Sequence, residues 1–498
     1  AEALEELALG NGYLSEVPAP AGHEGRWWRR HGLLTTYLRQ RGTNLAARHA
    51  SAASWFLDAG DVHRGLAHLI AAGDLNTAGT VLRQHEQQLF RQGEAPRLSQ
   101  WYEALLAAQD TASMDLLREG WGQALSGQFT QAMQTCRRLE ATVPGEPATG
   151  DGARALEVRL ETDVLRSFLA GVFADPGTML AAGRRACVDT DAPATDGRQL
   201  APLLVARGLL WSGREADSVA ALSALAPHET PTDVIREMHG TALRALASAV
   251  VGDIHTARSL GLRCDQWLDR QGLTRRSLMD FTPELVSAWI AYEAGDLDVA
   301  QEMTQRTITD AHALGHVGFA VVAGELSARV AIATADLEVA LDVLAAARES
   351  ADMATPNSGM VHLVHRTHAR VLLLIGDTQR AARIVRGLPT SVDRSLLWAW
   401  LQMTHRPATS IKALESLRPD TARSAAERQV LLARAQLRQG RSRSIDHLRK
   451  AAQIAERHGL GSVLYTCEPA LIDLAEEARE LHHDDAIGRL LATRRVIP

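Results

Sequence analysis

The run Glu284–Gly315, ELVSAWIAYEAGDLDVAQEMTQRTITDAHALG, shows in one piece the unit that most of the chain repeats. It reads as a helical hairpin. Thr282, Pro283 and Glu284 supply an N-cap, a first-turn proline and a first-turn acid, Leu285, Ala288, Trp289 and Tyr292 follow at helical spacing, and Gly295 ends the helix. Asp296 opens a second helix. Its Leu297, Ala300, Met303, Thr307, Ile308, Ala311 and Leu314 step by three and four, which leaves one stripe to pack on the first helix. Gly315 closes the unit.

The connector Gly-Asp-Leu-x-x-Ala is the sharp part of the signal, because each residue type answers to geometry. Glycine accepts the left-handed position after a helix, aspartate caps the next helix, and alanine lets two helices approach closely. Related connectors recur at Gly73, Gly127, Gly252, Gly295, Ala335 and Gly376, with weaker ones at Gly171, Gly213 and Gly440. From 252 to 295 is 43 positions, from 295 to 335 is 40, and from 335 to 376 is 41. A period near 40 with this grammar means an array of helix pairs, so the expected fold class is all-α, an α-solenoid of tetratricopeptide-like hairpins.

Composition agrees. The chain is 46% hydrophobic but only 4% aromatic, which suits thin helix-on-helix layers better than a sandwich of sheets. Lys412 and Lys450 are its only lysines, so the basic residues are nearly all arginine, and the formal charge of -6 argues against direct nucleic-acid binding. The four cysteines, Cys136, Cys187, Cys264 and Cys467, are far apart and read as free thiols in a reducing cytoplasm. No apolar run approaches the roughly 18 residues of a membrane span, so no membrane contact is expected. The chain opens at Ala1 inside what reads as a helix, as a piece of a longer product does.

Taken in order, residues 1–45 read as the end of a winged-helix subdomain: a short helix and an extended segment to Val17, a turn or hairpin tip over Pro18 to Gly25, and a helix over Arg26 to Arg41. Residues 46–110 read as a helical connector with the first hairpins, 111–491 as the repeat array, with Pro469 to Leu491 as one capping helix, and 492–498 as a linker stub. Pro144 to Gly152 and Asp189 to Gly197 read as long loops within the array.

Four features carry a family resemblance: the basic and aromatic run Arg26 to Leu38, the helix ending Ala52-Ala53-Ser54-Trp55-Phe56, the run Ala67-His68-Leu69-Ile70-Ala71-Ala72-Gly73-Asp74, and Leu98 to Leu105. Together they resemble the middle of the large LuxR-family transcriptional activators of the maltose-regulon-activator type, which belong to the signal-transduction ATPase (STAND) class. Past Leu105 the resemblance is carried by the period. It implies a P-loop NTPase before this chain, a helix-turn-helix after it, and a sensor region in between. No cofactor is implied for this chain itself, and ATP only for the full-length protein. A small-molecule or protein effector and self-association are the implied partners.

Motifs for chemistry are missing from the sequence. Neither lysine lies in a P-loop context, and there is no HExxH, GxSxG or paired-cysteine zinc spacing, so this chain is not expected to be an enzyme. His362, His365 and His368 sit three apart on a helix with no further ligand at suitable spacing and read as a polar face rather than a metal site. His482 and His483 read the same way. In a solenoid the first helix of each pair lines the concave side, which makes Trp211, Arg244, Trp289, Tyr292 and Glu325 the candidate effector-binding residues. The function expected is effector sensing that controls oligomerisation and promoter binding by an ATP-dependent regulator. The alternative is a stand-alone repeat scaffold that binds protein partners.

Overall fold

The computed structural model describes residues 14–17, 27–30, 44–91, 95–106, 113–142, 152–187, 198–225, 234–271, 280–403, 405–440, 443–467, 469–482 and 485–494. It divides into two compact units, residues 1–126 and 127–498. The described residues form twenty-four α-helices and one two-stranded antiparallel ribbon. The fold class is an all-α helical-repeat solenoid.

In the first unit, β1 (Leu14–Val17) pairs with β2 (Trp27–Arg30), with Leu14 opposite Arg30 and Val17 opposite Trp27. This corrects the expected helix over Arg26 to Arg41 at its start: Trp27 and Trp28 suit a pleated ribbon and take strand pairing. The remainder of that expected helix, and the tip at Pro18 to Gly25, lie outside the described residues. Five helices follow: α1 (Leu45–Asp58), α2 (Val62–Ala72), α3 (Leu75–Arg91), α4 (Ala95–Leu106) and α5 (Ser113–Leu125). Ala53, Leu66, Ala78, Leu82 and Tyr102 form a core shared by α1 to α4.

The second unit opens with α6 (Phe129–Thr142) and continues as helix pairs: α7 (Gly152–Val172) with α8 (Pro176–Ala186), α9 (Ala201–Trp211) with α10 (Glu215–Ser223), α11 (Val234–Val251) with α12 (Ile254–Gln271), and α13 (Thr282–Ala294) with α14 (Leu297–Ala313). Next come α15 (Val317–Ala333) with α16 (Leu337–Ala354), α17 (Val361–Leu374) with α18 (Thr378–Gly387), α19 (Val392–Met403) with α20 (Pro407–Ser416), and α21 (Ala422–Leu437) with α22 (Ser444–His458). Two helices, α23 (Pro469–His482) and α24 (Asp485–Arg494), close it where one capping helix was expected. Since α24 runs through Arg494, the linker stub placed at 492 begins inside a helix. The loops expected over Pro144 to Gly152 and Asp189 to Gly197 fall almost wholly outside the described residues.

The connectors explain the hairpins. Gly73, Gly127, Gly213, Gly252, Gly295, Gly376 and Gly440 all have φ between +73° and +119°. Ala174 and Ala335 take the same conformation at +58° and +62°, which costs a non-glycine residue about 1–2 kcal/mol. The cost is offset by hydrogen bonds that close the helix ends, from Asp175 N to Ala170 O (2.8 Å) and from Asp336 N to Ala331 O (2.9 Å). The weak connector placed at Gly171 is therefore corrected to Ala174, three residues on. Asp74, Asp175, Asp253, Asp336 and Asp377 each accept a bond from the backbone N–H three residues later. Asp296 makes no such bond, and α13 is preceded by Asp280, whose carboxylate accepts from Thr282 N at 2.9 Å.

First and second helices differ in burial. On α15 nearly every residue is covered, whereas α16 buries the single stripe Ala340, Leu344, Ala347 and Ala351. A helix apolar all round belongs inside, and one with a stripe belongs outside. The packing of α15 is tight at Gly318, where a Cβ would stand 2.2 Å from Gly171 O and 2.7 Å from the Trp211 ring. Gly318→Ala is expected to cost about 1–3 kcal/mol through overpacking. An unfolding midpoint in urea equal to the wild type would show that α7 and α15 do not meet there.

The second unit also winds onto itself. Thr355 Oγ1 donates to Phe173 O at 2.7 Å, and Ser358 hydrogen-bonds Ala174 O. Arg423 donates to Val250 O, and Ser462 N to Glu293, 173 and 169 positions apart. In each case a connector or helix end of an early repeat meets the start of a first helix, or the segment before one, five helix pairs later. A seam of edge contacts thus joins parts of the array that are remote in sequence.

Candidate functional site

The inner faces of α9, α11, α13, α15 and α17, with the N-terminal turns of α19 and α21, enclose a cleft in the second unit. A second lobe continues it toward α21 and the segment 460–467, and the two lobes share Arg329, Arg370 and Arg423. Of the residues expected to bind an effector, Trp211, Trp289 and Glu325 line the first lobe and Tyr292 lines the second. Arg244 lies outside the lining. Its guanidinium donates to Leu222 O at 3.1 Å and Leu225 O at 2.9 Å, where it holds the end of α10. The repeat glycines expected to be structural are connectors, as described above.

Trp289 is not a free stacking platform. It is 2% exposed, and the guanidinium carbons of Arg423 and Arg329 lie 4.8 Å and 5.4 Å from its ring centroid. Each cation–π contact of this kind contributes about 1–2 kcal/mol when desolvated, so the indole positions two arginines at the junction of the lobes. Tyr292 is edge-on to Trp289 and to Tyr465, and its phenol is pushed up to about 12 by burial. Trp211 is fully buried, edge-on to Phe319, with Arg207 over its face.

The arginines and acids of the cleft arrive from six helices. Arg366 on α17 bridges Glu215 of α10 (2.7 Å) and Asp393 of α19. Arg370, one turn on, bonds Glu427 of α21 at 2.8 Å. Within α15, Arg329 Nε donates to Glu325 at 2.7 Å. Arg423 donates to Val250 O (2.9 Å), Ala249 O (2.8 Å), Glu293 (2.7 Å) and Ser462 Oγ (3.1 Å). Burial alone would raise the Glu325 carboxyl, but Arg329, Thr367 and Arg366 hold it below the usual carboxylate range. Asp393 is likewise pulled down against burial, chiefly by Arg366, and the Arg366 guanidinium is raised by Glu215 and Asp393. Glu325, Arg329, Arg366 and Asp393 are therefore ionised at neutral pH.

The segment after α22 closes the second lobe. Gly461 lies so near the end of α13 that a Cβ would stand 1.9 Å from Glu293 O, and Tyr465 OH donates to Tyr292 O at 3.2 Å. Sequence reading missed Arg329, Arg366, Arg370 and Arg423. For Glu325 and Arg329 a signal was available: an i, i+4 ion pair within VGFAVVAGELSARVAIA, a helix otherwise apolar on all sides.

Nothing in the described residues groups three His, Cys, Asp or Glu side chains for a metal ion. His362, His365 and His368 are half-buried, and burial lowers all three, His368 to about 4. His483 lies outside the described residues. All four cysteines are free, and burial pushes the Cys136 thiol up to about 12. No helix among the described residues is long and apolar enough to cross a membrane.

No family model matches the chain. The sequence is similar to the serine/threonine-protein kinase PknK of Mycobacterium tuberculosis (strain ATCC 25618 / H37Rv), 24% identical over 380 residues that cover 70% of this chain and 32% of that protein. The same protein of Mycobacterium bovis (strain ATCC BAA-935 / AF2122/97) matches to the same extent. The chain thus spans about a third of the length of the curated relatives it matches. Among solved structures, the APC/C hetero-tetramer Cut9–Hcn1 is 12% identical and aligns over 88% of this chain and 99% of that one, at a TM-score of 0.33. Naa15/Naa10 bound to HypK-THB is 12% identical over 90% of this chain and 78% of that one, at a TM-score of 0.19. A kinase ATP site needs a strand lysine, and both lysines here are exposed on helices, Lys412 on α20 and Lys450 on α22.

Proposed function

We propose that this chain is the effector-sensing region of a larger ATP-dependent transcriptional regulator of the LuxR and signal-transduction ATPase type, and that the effector binds in the cleft around Arg329 and Trp289. The observation that carries the reading is the convergence of paired acidic and basic side chains from six helices inside the repeat array. Buried ion pairs stabilise a fold no better than apolar residues of the same volume, so the solenoid does not need them to stand. A small polar ligand held between repeats does need them, because it must be oriented by a few fixed charges in an otherwise apolar wall. The similarity to a third of a much longer signalling protein supports a regulatory part rather than a whole, and the connectors and Arg26 to Leu38 support the LuxR-type class. In this reading, occupancy of the cleft biases the full-length protein between a closed monomer and a self-associated form that binds promoters.

The test uses the full-length gene product in sedimentation velocity with ATP, with and without the dialysable fraction of the source cells. Effector present in that fraction should shift the distribution toward larger species, and Arg370→Lys should weaken the shift. A distribution indifferent to the fraction, in a gene whose flanks encode no NTPase domain, would sink the reading in favour of a protein-binding scaffold.

A further inference from the structure

The arginines at the cleft are not equally satisfied. Arg366 holds two carboxylates, though its Nε has no acceptor, and Arg423 holds two backbone carbonyls, a carboxylate and a hydroxyl. Arg329 and Arg370, which border both lobes, hold one carboxylate each. Neither terminal nitrogen of Arg329 has an acceptor among the described residues, and on Arg370 both Nε and Nη1 lack one. Their side chains are only 13% and 9% exposed. Arg370 Nε is buried without an acceptor, and with the other free N–H groups of the two arginines, which line both lobes, it forms a donor set suited to a planar oxyanion.

Beside this junction the second lobe offers the apolar side chains Ile332, Val430, Leu431, Leu460, Val463 and Leu471, among polar lining residues that include Glu427, Arg434 and Thr466. A ligand that reaches both parts carries a charged oxygen head on a short hydrocarbon body. We propose that Arg329 and Arg370 together receive the oxyanion of a small amphiphilic acid whose apolar body lies along Ile332, Val430, Leu431 and Leu460. The assignment rests on the sensing role of the cleft and names its ligand class. In its bound state each arginine would hold two anionic groups, as Arg366 already does between Glu215 and Asp393.

The test is titration calorimetry of the chain with hexanoate, with 1-hexanol as a neutral isostere and inorganic phosphate as a head group without a body. Hexanoate should bind saturably, at least about tenfold more tightly than either control, since a hydrogen bond to a charged group contributes about 1.5–3 kcal/mol. Arg329→Lys and Arg370→Lys keep the charge but lose the fork, and each should weaken hexanoate by about tenfold. Arg370→Met alone would strand Glu427, so the paired variant Arg370→Met with Glu427→Gln tests the loss in a chain whose unfolding curve can be matched to the wild type. Equal affinity for hexanol would leave only the apolar wall, and equal affinity for phosphate only a bare anion site. Either result overturns the assignment, as does hexanoate binding unchanged in the lysine variants or no binding at all. A neutral effector that shifts the sedimentation of the full-length protein would sink this ligand class and leave the sensing role standing. Hexanoate bound without effect on that sedimentation would do the reverse.

Discussion

Arg423→Met is expected to destabilise the second unit by about 3–5 kcal/mol, the cost of leaving a buried carboxylate without its counter-charge. The Glu293 side chain is 0% exposed and takes its positive partner from Arg423 at 2.7 Å. Methionine fills much of the arginine's volume, so the loss is one of charge and hydrogen bonds more than of packing. Ala249 O and Val250 O lose their donors at the same time. Adding Glu293→Gln removes the stranded charge and should recover a substantial part of the loss. Urea unfolding of the wild type, both single variants and the double closes a thermodynamic cycle. Additive effects in that cycle would mean the two side chains are not coupled, contrary to the geometry described above.

The second large effect is acid destabilisation through His316. This imidazole is 2% exposed, its ring centroid stands 4.6 Å from that of Phe319 and 5.8 Å from that of Phe129, and its Nδ1 has no hydrogen-bond partner among the described residues. Burial, then the nearby Arg207, lowers it to about 3, against the attraction of Asp280. A base lowered on folding is protonated more readily in the unfolded chain. Its share of stability is therefore complete above pH 6.5 and is lost as the pH falls from 6.5 toward 3. At pH 5 the loss from this residue alone is about 2 kcal/mol, rising to about 4 kcal/mol at pH 3. Asp280 does not enter above about pH 4, because its pairing with Arg207 and His239 keeps its carboxyl below the ordinary range. His362, His365 and His368 act in the same direction as His316. Unfolding free energies at a series of pH values should fall less steeply for His316→Gln and His316→Phe than for the wild type. Curves parallel to the wild type in both variants would place the acid sensitivity elsewhere.

Much of the fold could be read in the sequence because its signals are local. The connector glycines, the 40-residue spacing and the contrast between first and second helices each depend on neighbours within a hairpin. Where the reading slipped, a local rule had competition. At Gly171 the glycine was taken for the turn, but the left-handed residue is Ala174, and Gly171 serves instead to leave room for the side chains of Met179 and Trp211. Asp296 matches the capping pattern yet makes no cap bond. Trp27 and Trp28 pair as strand where a helix was expected.

The cleft was legible only in outline. Placing Trp211, Trp289, Tyr292 and Glu325 on inner helices followed from the solenoid rule, and those four do line it. Arg244 obeyed the same rule and does not, because its long side chain reaches the end of α10. The arginine set itself was hidden because its partners are brought together by winding: Glu215 with Arg366, and Arg423 with Glu293. No periodicity in a single hairpin encodes contacts between repeats that far apart. The role of Trp289 was hidden for the same reason, since one of its two cations comes from α21.

The seam has a consequence for how the second unit comes apart. An open row of repeats can unzip from either end, each hairpin leaving at a cost set by its neighbours alone. Here, peeling α21 and α22 away also tears Arg423 from α11 and α13, and loosening Ser358 exposes the end of α7. Fraying is thereby converted into a collective event, with many repeats lost together or not at all. The same stitching makes the array slow to form, because chain ends about 170 positions apart must meet before the last contacts reward the loops they close.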